Sequence, residues 1–110
     1  MIELRGYIDE NGNRPFAQWF DGLDAPAAAK VTIALTRLGR GNFSKVKGVG
    51  SGVFEYKIDF GPGFRVYFGK DGERLVILIG GGTKKRQQQD IAEALNCWAA
   101  YKRRKKQEIQ

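Results

Sequence analysis

Residues 53 to 86 constrain the fold of this chain most strongly, because they predict an antiparallel meander of three strands. The segment reads VFEYKIDF, GPG, FRVYFGK, DGER and LVILIGGGTKKR. Its first two strands alternate between apolar and polar residues, as strands with one buried face do. Glycine, proline and aspartate separate the strands at positions that are typical of tight turns. The segment therefore predicts consecutive hairpins.

The alternation also predicts the register of the first hairpin. A slip of one residue would turn a charged side chain into the hydrophobic layer, so the two apolar sets must lie on the same face. Gly61-Pro62-Gly63 then forms the loop, and cationic and aromatic side chains share the outer, polar face. Glu55 is expected to be exposed on that face. The predicted pairs are Phe60 with Phe64, Ile58 with Val66, Asp59 with Arg65, and Lys57 with Tyr67.

The remaining segments predict three helices and one more strand. Apolar residues at helical spacing indicate two helices before the meander and one after it. Asp24 is a favourable N-cap for the second helix, and Gly39 and Gly41 are expected to end it. The predicted elements are a strand over 2–8, helices over 16–23 and 24–39, a last strand over 75–79 that Gly80-Gly81-Gly82 ends, and a helix from 86 or 87. This order predicts an α+β fold with helices packed on a four-stranded antiparallel sheet.

Length and composition indicate one domain without cofactors. At 110 residues the chain suits a single core, which we assign to residues 1–101, with 102–110 as the basic end of the last helix or a tail. The chain has no histidine, and Cys97 is its single cysteine. No metal-ligand cluster or glycine-rich phosphate motif occurs, so neither a metal nor a cofactor is expected. No apolar run approaches the ~20 residues that span a bilayer, and nothing resembles a signal peptide, so a cytoplasmic protein is expected.

The charge of the chain favours a nucleic-acid partner. The net charge is +7, and the run from 102 to 106 supplies five of the cations. Such a run is more often a solvated helix end than a dedicated site, although it adds sequence-independent attraction to phosphates. The cations of the meander are more specific, because Lys57, Arg65 and the Lys84–Arg86 turn can converge in space.

Two phrases and the order of elements carry a family resemblance over nearly the whole chain. IDFGPGFRVYF and GGTKKRQQQDIAEAL are similar to the RelE/ParE superfamily of bacterial toxin–antitoxin toxins, and within it to the HigB-type, phage-related addiction module killer branch. The resemblance implies a RelE-like fold: strand, two helices, three-stranded meander, helix. It also implies a toxin that is neutralised by a co-encoded antitoxin, which in this branch has a helix-turn-helix DNA-binding domain.

The resemblance implies a ribosome-dependent mRNA endonuclease that inhibits translation. Metal-free cleavage needs a base for the 2′-hydroxyl, a cation for the phosphorane charge and help for the leaving oxygen. Arg65 aligns with an arginine of RelE-type enzymes and is the candidate that stabilises this charge. The catalytic candidates are Arg65, Lys84, Lys85, Lys57 and Tyr67; Lys45, Lys47 and Arg86 are candidates for contact with RNA.

The chain departs from the RelE-type pattern, and the departures keep other functions open. Asp59 stands where RelE-type enzymes carry a second lysine, and Gln89, Asp90 and Ile91 stand near the position of their catalytic tyrosine. Tyr67 is the candidate that replaces this tyrosine. The alternatives are a ParE-like inhibitor of DNA gyrase that cleaves no RNA, and a degenerate toxin that acts only as a partner of its antitoxin in operon repression.

Overall fold

A computed structural model describes residues 1–109 as an α+β fold in which a five-stranded sheet lies between helices on both faces. A 3₁₀ turn at Lys84–Arg86 connects the last strand to the last helix. The strands are β1 (Glu3–Gly6), β2 (Val46–Gly50), β3 (Val53–Ile58), β4 (Phe64–Lys70) and β5 (Leu75–Thr83); the helices are α1 (Pro15–Asp21), α2 (Ala25–Gly39) and α3 (Gln87–Ile109).

The sheet is mixed, with the strand order β1-β5-β4-β3-β2. Strands β2 to β5 pair in antiparallel fashion, whereas β1 runs parallel to β5 and forms one edge. The α+β class is confirmed, but the prediction of four antiparallel strands is wrong. The sequence VKGVG of β2 has too little alternation to indicate a strand, and it forms one because the edge of β3 offers unpaired backbone groups.

Helix α2 begins and ends as its sequence predicts, whereas α1 begins at Pro15 and ends at Asp21, two residues before the predicted end. The Asp24 carboxylate accepts a hydrogen bond from the backbone N–H of Ala27 at 2.9 Å, which satisfies one of the free donors at the start of α2. The chain leaves α2 through Gly41, whose φ of 83° lies in the left-handed region. Both helices cover the face of the sheet that carries Phe64, Val66 and Phe68.

The other face of the sheet is covered by α3. Trp98 is the centre of this second core, and it packs with Val53, Tyr67 and Ile77 from three strands. The prediction that this face is outer and polar is wrong. The signal was present in β5, which is apolar on both faces and so requires cover on both sides.

The register of the β3–β4 hairpin differs from the prediction by two residues. Each side chain keeps its predicted face, but Ile58 pairs with Phe64, and Lys57 pairs with Arg65. The connecting loop is therefore 59–63, and Asp59 lies outside the ladder. A shift of two residues leaves the alternation intact, so the hydrophobic pattern cannot detect it. The remaining pairs are Tyr56 with Val66, Glu55 with Tyr67, Phe54 with Phe68, and Val53 with Gly69.

Strand β5 continues through the triple glycine instead of ending there. A bulge at Ile79 lies next to the break in register between Tyr67 and Phe68 on β4. Beyond the bulge, a Cβ atom at Gly81 would overlap the Trp19 ring, and one at Gly82 would overlap the Asp90 carboxylate. These two glycines therefore permit close packing of α1 and α3 on the strand, which is a different role from ending it.

The basic run that begins at Lys102 is part of α3 and contacts the domain. Arg104 Nη2 donates to the carbonyl of Ile8 at 2.6 Å, and Lys105 Nζ lies 2.9 Å from Asp71 Oδ2. Gln110 lies outside the described residues. Over residues 1–109, no helix is long and apolar enough to cross a membrane.

Candidate functional site

Arg65 is buried in the middle of the sheet, on the face that α3 covers. Its side chain is 7% exposed, and its Nη1 donates to the carbonyl of Gly63 at 3.3 Å. Its Nε lies 3.8 Å from Oε1 of Glu55 and has no hydrogen-bond partner within residues 1–109. The guanidinium is thus held between a loop carbonyl and a carboxylate, which fixes its orientation.

Glu55 differs from the prediction in its burial. It was expected to be exposed, yet its side chain is 1% exposed, because α3 covers this end of β3. The Gln87 amide at the start of α3 donates to Glu55 Oε2 at 2.8 Å. Lys47, which β2 carries instead of the predicted loop, places its exposed Nζ 3.7 Å from Glu55 Oε1. Glu55 therefore connects Arg65, β2 and α3.

A cleft of about 360 Å³ brings Arg65 together with Lys57 and Lys84. The backbone N–H of Lys84 donates to the Gly63 carbonyl at 2.9 Å, the same oxygen that accepts from Arg65. A Cβ atom at Gly63 would lie 3.1 Å from Arg65 Nη1, so glycine permits the two cations to approach the loop. We call this the Arg65 cleft; its lining residues are Lys57, Asp59, Phe60, Gly61, Pro62, Gly63, Arg65 and Lys84.

The electrostatics of the Arg65 cleft suit a single anionic group. Three cations line it against one carboxylate, that of Asp59. Asp59 lies 3.5 Å from Lys57 Nζ and 3.7 Å from Lys45 Nζ. All three side chains are more than half exposed, so these ion pairs are weak and a phosphate can replace them. The cleft therefore has both the charge and the exchangeable contacts of an anion site.

The other predicted site residues lie outside the Arg65 cleft. Lys85 is exposed on the 3₁₀ turn but does not line the cleft, and Arg86 points to Asp90, with Nη2 at 4.0 Å from Oδ1. Lys45 and Lys47 lie on the neighbouring β2 side of the sheet. The turn Lys84–Arg86 thus divides its cations between two surfaces.

Tyr67 cannot have the role that the sequence predicts for it in this conformation. It lies on the same face as Arg65 and Lys57, but α3 buries it to 1% exposure. Burial and the nearby Glu55 carboxylate raise the pKa of its hydroxyl far above the ordinary value. Its side chain does not line the Arg65 cleft, so its hydroxyl cannot act on a phosphate that is held there.

The described residues provide no alternative centre for metal chemistry. Within 1–109, no group of three or more Asp, Glu, Cys or His side chains could hold a metal ion. Asp90 and Cys97 are both partly buried, and burial raises the pKa of each side chain.

The fold and the site define a small basic α+β protein with a cationic cleft at the turn between β3 and β4. No model of a known protein family matches the sequence. The chain is 42% identical over 80 residues to an uncharacterized protein of Haemophilus influenzae strain Rd, and the match covers 72% of this chain and 81% of that protein. The chain belongs to the same family as this Haemophilus protein.

Proposed function

We propose that the protein is the toxin of a toxin–antitoxin module, similar to the RelE and HigB types, and that it cleaves mRNA on the ribosome without a metal or cofactor. The observation that carries the proposal is the Arg65 cleft, in which Lys57, Arg65 and Lys84 meet beside the Gly63 carbonyl. The family resemblance of the two phrases around these residues supports the same function.

The cleft suits the charge changes of RNA cleavage. The 2′-oxygen forms a bond to phosphorus, the bond from phosphorus to the 5′-oxygen breaks, and negative charge accumulates on the phosphoryl oxygens in between. We assign the stabilisation of that charge to Arg65 and Lys84, which both line the cleft. Because Arg65 is already fixed by Gly63 and Glu55, little ordering of its side chain is needed when the phosphate binds.

The proton transfers are assigned to the exposed pair Lys57 and Asp59. Asp59 is the carboxylate that lines the cleft, so we assign it the role of accepting the 2′-hydroxyl proton. Lys57 lies 3.5 Å from it as an ammonium group, and it donates a proton to the leaving 5′-oxygen. Glu55 is a positioning residue, because its carboxylate is buried behind Arg65 and is hydrogen-bonded to Gln87.

Two adjacent lysines provide a matched test of this site. Lys84 lines the cleft and Lys85 does not, although both belong to the same 3₁₀ turn. Expression of the wild-type chain is expected to arrest growth and to produce cleaved transcripts, mapped by sequencing of 5′ ends. Lys84→Ala is expected to lose about 2–4 kcal/mol of transition-state stabilisation, as removal of one charge-stabilising donor does, whereas Lys85→Ala retains cleavage. Equal cleavage by both variants would contradict the site.

A second candidate function is ParE-like inhibition of DNA gyrase, which the burial of Tyr67 favours. The tyrosine that would complete an RelE-like site does not line the Arg65 cleft, and an inhibitor that only binds needs no such group. A plasmid supercoiling assay separates the two functions. Gyrase cleavage complexes with intact mRNA would favour inhibition, and the absence of any growth phenotype would indicate a degenerate toxin.

The partner expected for all these functions is a small antitoxin with a helix-turn-helix domain. The exposed cations of the Arg65 cleft and of the end of α3 provide surfaces for an acidic segment of such a protein. Co-expression with the product of an adjacent reading frame is expected to restore growth and to yield a complex on size-exclusion chromatography.

A further inference from the structure

A second cavity, larger than the Arg65 cleft, lies between α1, β5 and the start of α3. Its volume is about 630 Å³, which exceeds that of a nucleobase several-fold and leaves room for a sugar. We call it the Tyr67 cavity. The lining residues that matter here are Trp19, Tyr67, Gly80, Arg86, Asp90 and Glu93.

Gly80 keeps the Tyr67 cavity open. Its neighbours Gly81 and Gly82 must be glycines, because a Cβ atom would overlap Trp19 or Asp90. At Gly80 a Cβ atom would meet nothing within 4 Å, and the backbone has no positive φ. Neither packing nor conformation therefore requires glycine at this position, which pairs with Tyr67 in the ladder. The missing side chain is what leaves the space beside Tyr67.

Two buried polar atoms at the cavity make no hydrogen bond of good geometry within residues 1–109. They are Oδ2 of Asp90 and the hydroxyl oxygen of Tyr67, a residue that is 1% exposed and whose hydroxyl lies close to the Glu55 carboxylate. Buried polar groups are nearly always paired, because an unpaired group loses its hydration without compensation. A ligand that enters the cavity with donors and acceptors could provide the missing partners after small side-chain rotations.

The charges around the cavity select a ligand with N–H donors. Asp90 and Glu93 are three residues apart on α3 and line the same space, although the chain as a whole carries a net charge of +7. Arg86 lines the same cavity, and its side chain is 57% exposed, so an anionic group can reach it from solvent. Trp19 and Ile79 supply apolar walls. The arrangement fits a flat, donor-bearing ring that is attached to a phosphate.

We propose that the Tyr67 cavity binds the guanine base of a nucleotide, with its phosphate at Arg86. Guanine presents two adjacent N–H donors beside a carbonyl acceptor, and the carboxylates of Asp90 and Glu93 and the hydroxyl of Tyr67 can pair with these groups. Asp90 of the Tyr67 cavity covers Gly82, and Gly82 pairs across the ladder with Arg65 of the Arg65 cleft. If the Tyr67 cavity reads a base of an RNA that is bound in the Arg65 cleft, the inference rests on the proposed function. If the cavity binds a free nucleotide, the inference does not depend on that function.

Calorimetric titration of the whole chain with mononucleotides tests the base preference. Guanosine 5′-monophosphate is expected to bind about tenfold or more tightly than adenosine 5′-monophosphate, the discrimination typical of a well-paired base edge. Inorganic phosphate, which has no base, is expected to be weaker still. Equal affinities for the two nucleotides, or no guanosine nucleotide binding, would overturn the inference. Stronger binding of arginine amide would do so too, because it would indicate a site for a partner's side chain.

Two glycine variants provide a matched control. Gly80→Val fills the cavity and is expected to weaken binding of the guanosine nucleotide about tenfold, and Gly80→Ala is a milder variant should the valine protein fold poorly. Gly48→Val is the control, because a Cβ atom at Gly48 on β2 also meets nothing within 4 Å, away from the cavity. Unchanged binding in a folded Gly80 variant would contradict the site.

Asp90→Asn distinguishes specific recognition of guanine from non-specific occupation of the cavity by a nucleotide. It is expected to reduce the ratio of guanosine to adenosine nucleotide affinity several-fold, because one carboxylate acceptor pair is lost. An unchanged ratio of the two affinities would refute both the role of Asp90 and the assignment of guanine as the ligand.

Short RNAs distinguish the two sources of the nucleotide and separate this inference from the proposed function. Binding of a pentamer with a central guanosine, at least as tight as that of the mononucleotide, supports an RNA substrate; binding of the mononucleotide alone supports a free ligand. If the wild-type chain cleaves transcripts and Gly80→Val leaves their base preference unchanged, the base pocket is refuted and the proposed function stands. If the guanosine nucleotide binds but Lys84→Ala leaves cleavage unchanged, the Arg65 cleft fails instead.

Discussion

The buried pair of Glu55 and Arg65 should have a large and measurable coupling energy. Their side chains are 1% and 7% exposed, and their charged atoms approach to 3.8 Å. Removal of one partner from a buried ion pair typically costs about 3–5 kcal/mol, because the other charge stays buried without compensation. Arg65→Met keeps most of the aliphatic stem and removes the guanidinium. We expect it to lower the free energy of unfolding by about 3 kcal/mol.

We expect a loss of stability at the lower end of the range of about 3–5 kcal/mol, because each single variant keeps other contacts to the remaining charge. In Arg65→Met the Glu55 carboxylate still accepts from Gln87 at 2.8 Å and lies 3.7 Å from the exposed Lys47 ammonium. In Glu55→Gln the Arg65 guanidinium still donates to the Gly63 carbonyl and lies open to the cleft. We therefore expect about 3 kcal/mol from either single change.

The double variant decides whether the pair is responsible. When both charges are absent, neither desolvation penalty applies, so Arg65→Met with Glu55→Gln should be no less stable than either single variant. The coupling energy is then about 3 kcal/mol, at the upper limit for contacting residues. Urea denaturation of the four proteins, followed by circular dichroism, gives all the required free energies. Additive losses, with a coupling below about 0.5 kcal/mol, would refute this account of the buried pair.

Three further predictions concern other parts of the molecule. Burial raises the pKa of Asp90, so the charged form of this side chain disfavours folding. The stability of the wild type relative to Asp90→Asn should therefore fall as pH rises through the ordinary pKa of 3.8. A constant stability difference between pH 3 and 7 would contradict the raised pKa. Burial and the hydrogen bond to Asp71 raise the pKa of Tyr101 to about 12, so the stability of the protein should fall as pH rises from 10 to 12. In an ultraviolet absorbance titration, Asp71→Asn should lower the titration midpoint of one tyrosine. Gly69→Ala places its Cβ atom 2.5 Å from Trp98 Cε3 and should lower the free energy of unfolding by about 1–3 kcal/mol. Gly48→Ala, whose Cβ atom meets nothing within 4 Å, should change it by no more than about 0.5 kcal/mol. Equal thermal stability of the two variants would contradict the packing of Gly69 on Trp98.

The Arg65 cleft shows how far sequence reasoning can identify a site. Alternation in β3 and β4 places Lys57 and Arg65 on one face, and the turn that contains Lys84 follows the next strand. The shape of the cleft depends on the turn of residues 59–63, where Gly61 and Gly63 have positive φ. That turn moves the register by two residues and takes Asp59 out of the ladder and into the cleft lining. No hydrophobic pattern records this shift, because both registers bury the same side chains.

Glu55 and Tyr67 show where the same reasoning fails. Their alternation with apolar neighbours assigns them to the face opposite the first core, which is correct, but it cannot indicate whether another element covers that face. The helix α3 has an apolar stripe of its own, and it packs on this face through Trp98. Burial of both residues is therefore a consequence of how α3 docks.

By itself the sequence determined the α+β class, the helix bounds near Asp24 and Gly39, the side of the sheet on which each strand residue lies, and the net charge that attracts anions. These properties depend on neighbouring residues: periodicity of two or 3.6, local capping, and a count of charges. Tertiary structure alone decided the fifth strand, the parallel pairing of β1, the burial of Glu55 and Tyr67, and the two cavities. These depend on contacts between residues that are distant in the chain, whose energies no local pattern encodes.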